Sequence, residues 1–369
     1  MRSVLEAIRA HPKLQLQIIA TGMHLHAAHG RTIDTIRREG WKVDATVPWK
    51  LTGHTPSSHA QQMGLATAGL ARAFDRLKSD VVLITGDRTE AFAAAAAGHV
   101  SQRVVAHVHG GDRALGQVDD ALRHAITKLA HVHFPATAGS AERIVRLGED
   151  RWRVHRVGAP GIDGIRAAAA PRDVVRAAVR DLVARRFALV LLHPVDPDPD
   201  VERRRADDVL GATRGAGVER VVIIGPNNDP GARGIIDAWK AHARGVGFGG
   251  HGVTLQNNLP RDVFLGLLRD AAVLVGNSSS GIIEAASFGT PGINVGSRQQ
   301  GRERSGNVTD VPYGQAAIRR AVARVWNGGR PRRWRGRNAY GGDGAGRRIA
   351  DILGRLDLND RLRRKLIRY

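Results

Sequence analysis

The stretch Val275-Gly276-Asn277-Ser278-Ser279-Ser280-Gly281-Ile282-Ile283-Glu284-Ala285 decides the fold. The aliphatic run Ala272–Val275 stops at a glycine, crosses a small polar loop and resumes with helical spacing, so a strand is expected to turn into a helix here. Such a turn lets phosphate oxygens reach backbone N–H groups and serine hydroxyls at the positive end of a helix dipole. Ser278, Ser279 and Gly281 are therefore candidates for a diphosphate cradle. Glu284, one helical turn on, is a candidate acceptor for ribose hydroxyls. A plain Ser/Asn-capped helix would leave the same local trace.

The same alternation recurs on both sides of this loop. Candidate strands are Leu14–Ala20, Asp80–Thr85, Val104–His107, Val132–Pro135, Ala188–Leu192, Val221–Gly225 and Gly252–Leu255, separated by Ala/Leu/Arg-rich stretches of helical period. That is the pattern of an α/β protein with parallel sheets. The chain has 369 residues with 42% apolar content, enough for two domains that each bury a core. The stretch AAAAPRDVVRAAVRDLVARR at 167–186 carries Pro171 and Asp173, suited to opening a helix between two sheets. The expected division is 1–170 for the first domain, 171–348 for the second, and 349–369 for a closing helix and basic tail. No repeat of fixed period occurs.

Composition excludes several classes. There is no cysteine, which removes disulfides, thiolate zinc sites and cysteine nucleophiles. The start alternates charge with aliphatics and no long apolar run follows, so a membrane partner is not expected and a cytoplasmic location is. The formal charge of +21 is nearly all arginine, spread along the chain. Without a helix-turn-helix, a finger or an aromatic stacking pattern, it argues against nucleic acid as a partner and for a field that draws in a small anionic ligand.

Two further strand ends carry acids. Thr85-Gly86-Asp87-Arg88-Thr89-Glu90 closes one strand and His107-Val108-His109-Gly110-Gly111-Asp112 another, and the carboxyl ends of parallel strands are where ligands bind. Asp119 and Asp120 then open a helix in which Arg123, His124 and Lys128 follow within two turns. Each piece also has a structural reading: Asp87 as a helix cap, Asp112 in a turn, the acidic pair complementing a dipole. His107 and His109 show strand alternation rather than a metal site, and no metal is expected.

Taken in order, TGMHL at Thr21–Leu25, ITGDRTE at Ile84–Glu90, HVHGGD at His107–Asp112, DDALRHAITKLAHVHF at Asp119–Phe134, RLGED at Arg146–Asp150, VGAPGID at Val157–Asp163, LLHPV at Leu191–Val195, GNSSSGIIEA at Gly276–Ala285 and YGGDGAGRRI at Tyr340–Ile349 resemble the UDP-N-acetylglucosamine 2-epimerase family, in particular its hydrolysing branch. The resemblance implies two Rossmann-like domains facing across a cleft, similar to GT-B glycosyltransferases, with the C-terminal helix crossing back to the first domain. It also implies a UDP-sugar as the partner, no cofactor, and leaves homo-oligomerisation open. The implied reaction is an elimination: a base takes the C2 proton, UDP leaves C1, and a 2-acetamidoglucal receives water, giving ManNAc and UDP, or receives UDP again, giving UDP-ManNAc. Asp87, Asp112, Asp119 and Asp120 match the catalytic acids, with the working member of the pair undecided. His193 matches a catalytic-loop histidine that would steady the departing diphosphate. His24, Arg88, Glu90, Arg123, His124, Asn227 in GPNNDPG and Arg298 in GSRQQGR match segments that bind substrate.

Two departures stand out. This branch usually has HGGE where the chain has HGGD, so the carboxylate of Asp112 retreats by one methylene, and a misplacement of about 1 Å costs on the order of a hundredfold in rate. The rival readings are accordingly a retaining glycosyltransferase that moves the sugar to a small alcohol, and a sensor that binds UDP without turnover. Family members also open with a strand and a glycine- and arginine-containing loop ahead of the helix that here is Arg2–His11. The first sheet is thus expected to lack its central strand and to expose unpaired edges. One account is a start assigned too far downstream, by about twenty to thirty residues. The other is a genuinely shorter form with phosphate binding reassigned to residues such as Arg298. The first agrees better with the consistency of the remaining sequence.

Overall fold

Every strand pairing in the computed structural model is parallel among the residues it describes, which are 1–26, 31–49, 56–113, 119–179, 182, 186–227, 230–243, 252–256 and 259–368. Packing divides the chain into two Rossmann-like α/β units. Unit 1 is Met1–Pro160 with Gly344–Tyr369, and unit 2 is Gly161–Asp343.

In unit 1, β1 (Ile19–Thr21) pairs with β2 (Ala45–Val47), while β3 (Val81–Thr85), β4 (Val104–Val108) and β5 (Val132–Phe134) form a separate ladder in that order. Its helices include α1 (Arg2–Ala10), α2 (Pro56–Leu77), α3 (Thr89–Val100), α4 (Asp119–Leu129) and α5 (Ala138–Arg146). Side chains alternate along the strands and feed two cores. Val82, Ile84 and Val105 pack with Leu70, Phe74, Ala93 and Ile126 on one face. Val104, Ala106, Val108, Val132 and Phe134 pack with Val4, Ile8, Ile349 and Leu353 on the other.

The strand expected over Leu14–Ala20 begins only at Ile19, because a strand persists only where a neighbour takes its hydrogen bonds, and β1 meets β2 no earlier than the Ile19–Ala45 pair. Among the described residues no ladder joins β1 to β3. Gln17 bridges the two instead: its Nε2 donates to the Leu77 carbonyl (2.7 Å) and its Oε1 accepts from Ser79 Oγ (2.6 Å).

In unit 2, β6 (Ala188–Leu191), β7 (Val221–Ile224), β8 (Val253–Gln256), β9 (Val273–Gly276), β10 (Gly292–Val295) and β11 (Val308–Val311) make one sheet ordered β11-β10-β9-β6-β7-β8. It is sandwiched by α6 (Pro199–Gly215), α7 (Ala232–Ala243) and α9 (Gln315–Trp326) on one face and α8 (Arg261–Asp270) on the other, with Trp239 and Trp326 filling the first core and Phe187, Leu267 and Leu268 the second. The packing break precedes the Pro171 boundary read from composition. Arg261 Nη2 donates to the Gly161 carbonyl and Ala170 N to that of Asp262, tying 161–170 to unit 2. The expected linking helix is observed as Arg172–Ala178, and its residues 180, 181 and 183–185 lie outside the described ones.

The chain then returns to unit 1 with α10 (Ala345–Leu353), which packs on α1. Gly346 makes that crossing possible, since a Cβ there would lie 2.5 Å from the Ser3 carbonyl oxygen.

Candidate active site

The catalytic candidates of unit 1 sit where β3, β4 and α4 end or begin. Gly86, with φ +78°, turns the chain out of β3 and its N–H donates to the Val108 carbonyl. The ring of His107, buried in β4, donates from Nε2 to the Gly86 carbonyl at 2.8 Å. Burial pushes the His107 ring down to about 3, so it stays neutral and serves as a fixed prop for the loop carrying Asp87.

Arg123 is the hub. Its guanidinium is 2% exposed, yet it reaches three acidic segments: Nη2 pairs with Asp87, and Nη1 donates to Asp120 Oδ1 and to the Asp112 carbonyl, each at 2.9 Å. Read from sequence as a substrate ligand, it faces protein oxygens. A planar fork of donors suits this task better than a lysine would. Asp120 also lies 3.5 Å from His124 Nε2, whereas Asp119 is exposed at the first position of α4. Burial lowers the proton affinity of His124, opposed by Asp120.

The Asp112 side chain is buried and held. Oδ1 accepts from Ser140 Oγ at 2.7 Å, and Oδ2 lies 3.3 Å from His109 Nδ1. Glu90 lies 3.7 Å from Arg88 and against Gly22, the turn that begins the TGMHL segment. His24 in that segment is exposed, with Nδ1 2.7 Å from Thr32 Oγ1.

In unit 2 the loops after β6 and β9 are locked together. Gly276 has φ +141°, and a Cβ there would sit 1.9 Å from the Leu191 carbonyl oxygen, so only glycine lets the end of β9 lie so close to β6. Asn277, fully buried, then treats His193 as a strand partner: Oδ1 accepts from His193 N at 2.7 Å and Nδ2 donates to His193 O at 2.8 Å. The Asn227 N–H donates to His193 Nδ1 at 3.1 Å, which places the proton of the neutral ring on Nε2. The buried carboxylate of Glu202 accepts from the N–H groups of Val195 and Asp196 and pairs with Arg205, fixing the turn that follows His193. Arg298 Nη1 and Gln299 Nε2 both donate to the Asn277 carbonyl.

The loop at 278–284 corrects one expectation. The helix expected to follow it is a 3-10 turn over Ser279–Gly281 and a four-residue helix, Ala285–Phe288, ended by Gly289 at φ +67°. Without several turns of aligned peptides the macrodipole contributes little, and Ser278, Ser279 and Gly281 offer hydroxyls and local backbone rather than a helix terminus. Glu284 is held by Arg261, Nη2 to Oε1 at 2.7 Å. Asn277 and Glu202 escaped the sequence reading of roles. Asn277 lies in the quoted loop, but its partner is 84 residues away.

The sequence profile described as UDP-N-acetylglucosamine 2-epimerase matches residues 6–354. The chain is 35% identical over an alignment of 374 positions, covering 100% of its own length and 96% of the relative's, to the UDP-N,N'-diacetylbacillosamine 2-epimerase (hydrolyzing) of Legionella pneumophila. It is 31% identical to the UDP-N-acetylglucosamine 2-epimerase of Neisseria meningitidis, over 85% of this chain and 80% of that one. The crystal structure of UDP-GlcNAc 2-epimerase from Neisseria meningitidis bound to UDP-GlcNAc shares the fold, with TM-score 0.77 at 18% identity over 95% of this chain and 96% of the other. The Methanocaldococcus jannaschii UDP-GlcNAc 2-epimerase in complex with UDP-GlcNAc and UDP gives 0.77 at 19% over 95% and 94%. With the motifs in order along nearly the whole chain, the GT-B-like fold and the two loop clusters in place, the protein belongs to the UDP-N-acetylglucosamine 2-epimerase family.

Proposed function

We propose that the enzyme acts on UDP-GlcNAc or a related UDP-2-acetamido sugar, inverting C2 by elimination of UDP and addition of water. The observation that carries this reading is the single buried guanidinium of Arg123 tying Asp87, Asp120 and the Asp112 backbone into one acidic cluster. A general base must be positioned before it can take a proton, and the hydrogen bonds from Arg123 hold Asp87 and Asp120 side by side. A C2 proton is only weakly acidic, so departure of UDP has to draw the C2–H electrons away as the proton leaves.

In the first step a carboxylate of this cluster takes the proton from C2, the C–H electrons form the C1–C2 double bond, and the C1–oxygen bond breaks to release UDP. In the second step water adds its oxygen to C1, and C2 gains a proton from the opposite face. Asp120, which shares Arg123 with Asp87, is the working member of the acidic pair. His193, with its proton on Nε2, donates to the departing diphosphate, and Ser278, Ser279 and Gly281 hold that group while Glu284 takes the ribose. The name of the Legionella pneumophila relative extends the sugar class to a diacetamido form.

Incubation with UDP-GlcNAc in deuterated water, followed by proton NMR, tests the reading. Free UDP and ManNAc labelled at C2 are expected without any acceptor. Sugar released without C2 label sinks the elimination, and turnover that appears only with an added polyol replaces it with sugar transfer.

A further inference from the structure

Helix α4 carries the acidic pair and Arg123 in its first two turns, and its other end is closed by a residue from far along the chain. Lys365 Nζ lies 3.0 Å from the carbonyl oxygen of Thr127, 2.6 Å from that of Lys128 and 2.6 Å from that of Ala130. It is also 2.7 Å from Glu149 Oε2, and its side chain is 8% exposed. The Glu149 side chain is fully buried and takes two further partners, Lys128 Nζ at 2.6 Å and His133 Nε2 at 3.2 Å. Arg153, itself buried, grips the backbone that delivers Lys365, donating to the carbonyls of Arg361, Leu362 and Arg364.

A helix end leaves its last carbonyls without intrahelical partners, and water, a glycine turn or a surface cation ordinarily satisfies them. Burying an ammonium for this purpose carries a desolvation cost that its carboxylate partner has to offset. What the buried arrangement adds over a solvated cap is position: three N–H donors shared among three carbonyls and Glu149, which belongs to the segment after α5, fix where the helix ends. An eleven-residue helix transmits a displacement of one end to the other.

Building on the epimerase reading above, we propose that Lys365 is a positioning residue for the reaction, setting the placement of Asp120 and Arg123, and through Arg123 that of Asp87, by clamping the carboxyl end of α4 to Glu149. The full-length chain carrying Lys365→Met keeps the stem and loses the charge. Its α4 peptide, followed by hydrogen–deuterium exchange, should exchange about tenfold faster than in the parent, consistent with loss of a local clamp. Its kcat should fall by about ten- to a hundredfold, the scale of an ångström-sized misplacement, with KM and the calorimetric UDP affinity within about twofold. Lys365→Gln, which keeps two donors, should fall between, and it serves as the readout if the methionine variant does not fold.

Unchanged exchange in α4 overturns the proposal, as does faster exchange with unchanged kcat. A parent enzyme that releases no UDP from UDP-GlcNAc would instead sink the epimerase reading, while the exchange comparison would still report whether Lys365 holds the helix.

Discussion

Asp87 and Glu284 are both carboxylates held by an arginine, yet their surroundings differ. Asp87 pairs with the buried Arg123 at the centre of the acidic cluster, whereas Glu284 pairs with the half-exposed Arg261 beside the serine loop. Removing a general base costs about a hundred- to ten-thousandfold in rate. Asp87→Asn should therefore reduce kcat on that scale and leave calorimetric UDP affinity nearly intact. Glu284→Ala should weaken UDP binding itself, by about tenfold if one charged hydrogen bond to ribose is lost. Equal loss of affinity in both variants would contradict the division. The placement of Asp87, Asp112 and Asp120 was legible in the sequence because each follows a strand or opens a helix within a recognisable segment. The duties of Arg123 and Asn277 were not, because what defines them is a set of partners contributed by other elements.

At the scale of elements, the short loop His193–Asp196 illustrates how a site is held by a residue that never reaches it. Glu202 lies in the first turn of α6, and its buried carboxylate takes the N–H groups of Val195 and Asp196 at 2.9 and 2.8 Å. Glu202→Ala leaves both donors without that acceptor, at about 1 kcal/mol for each hydrogen bond lost, since Val195 is exposed and Asp196 half-buried and water can take the place of the carboxylate. The expected outcome is a lower denaturation midpoint for unit 2 together with a drop in kcat as His193 loses its fixed turn, while Glu202→Gln, which retains an acceptor oxygen, restores most of both. A stability loss with kcat untouched would show that the loop does not depend on this anchor.

The elements themselves were largely readable. β3, β4, β6, β7 and β9 were expected to within a residue or two, because each is a run of aliphatics bounded by Gly, Asp or His. β2 at ATV, β10 at GINV and β11 at VTDV were missed, since so few apolar residues give no periodicity and a sheet neighbour decides their state. The helix expected after the serine loop was overcounted for a related reason: IIEAASF has helical spacing, but Gly289 ends it after one turn.

Over the whole molecule, the groups that resist protonation are distributed unevenly between the units, and acid should reveal it. His107, His124, His131, His133 and His155 are all pushed down by burial, and all belong to unit 1, with His107 at about 3 and His131 and His133 at about 4. In the unfolded chain each takes a proton near its ordinary value of 6.5. Between that value and the lowered one the unfolded state binds more protons, so stability falls as pH falls through this window. Glu149 has the same sign lower down. Burial pushes its carboxyl up, but hydrogen bonds from His133, Lys128 and Lys365 outweigh that and hold it at about 2, so its contribution is present above 4.5 and lost as pH falls toward about 2. In unit 2, Asp270 is pushed up by burial and held down on balance by Arg269 and Arg172, and its contribution begins to fade only below 3.8. Unit 1 should therefore weaken first on acidification. His107 alone corresponds to about 2 kcal/mol lost between pH 6.5 and about 5, from the linkage of a neutral buried ring to a protonated unfolded one. Calorimetric scans at about pH 7 and pH 5, with hydrogen exchange to assign the transitions, should show β4, β5 and α4 opening at lower temperature at the acid value while β6 and β9 hold. His107→Gln retains a donor for the Gly86 carbonyl but does not titrate, so it should be less stable than the parent near neutrality and lose less on acidification. A steeper acid dependence in unit 2 than in unit 1, or one unaltered by His107→Gln, would mean that these rings are not what limits the protein in acid.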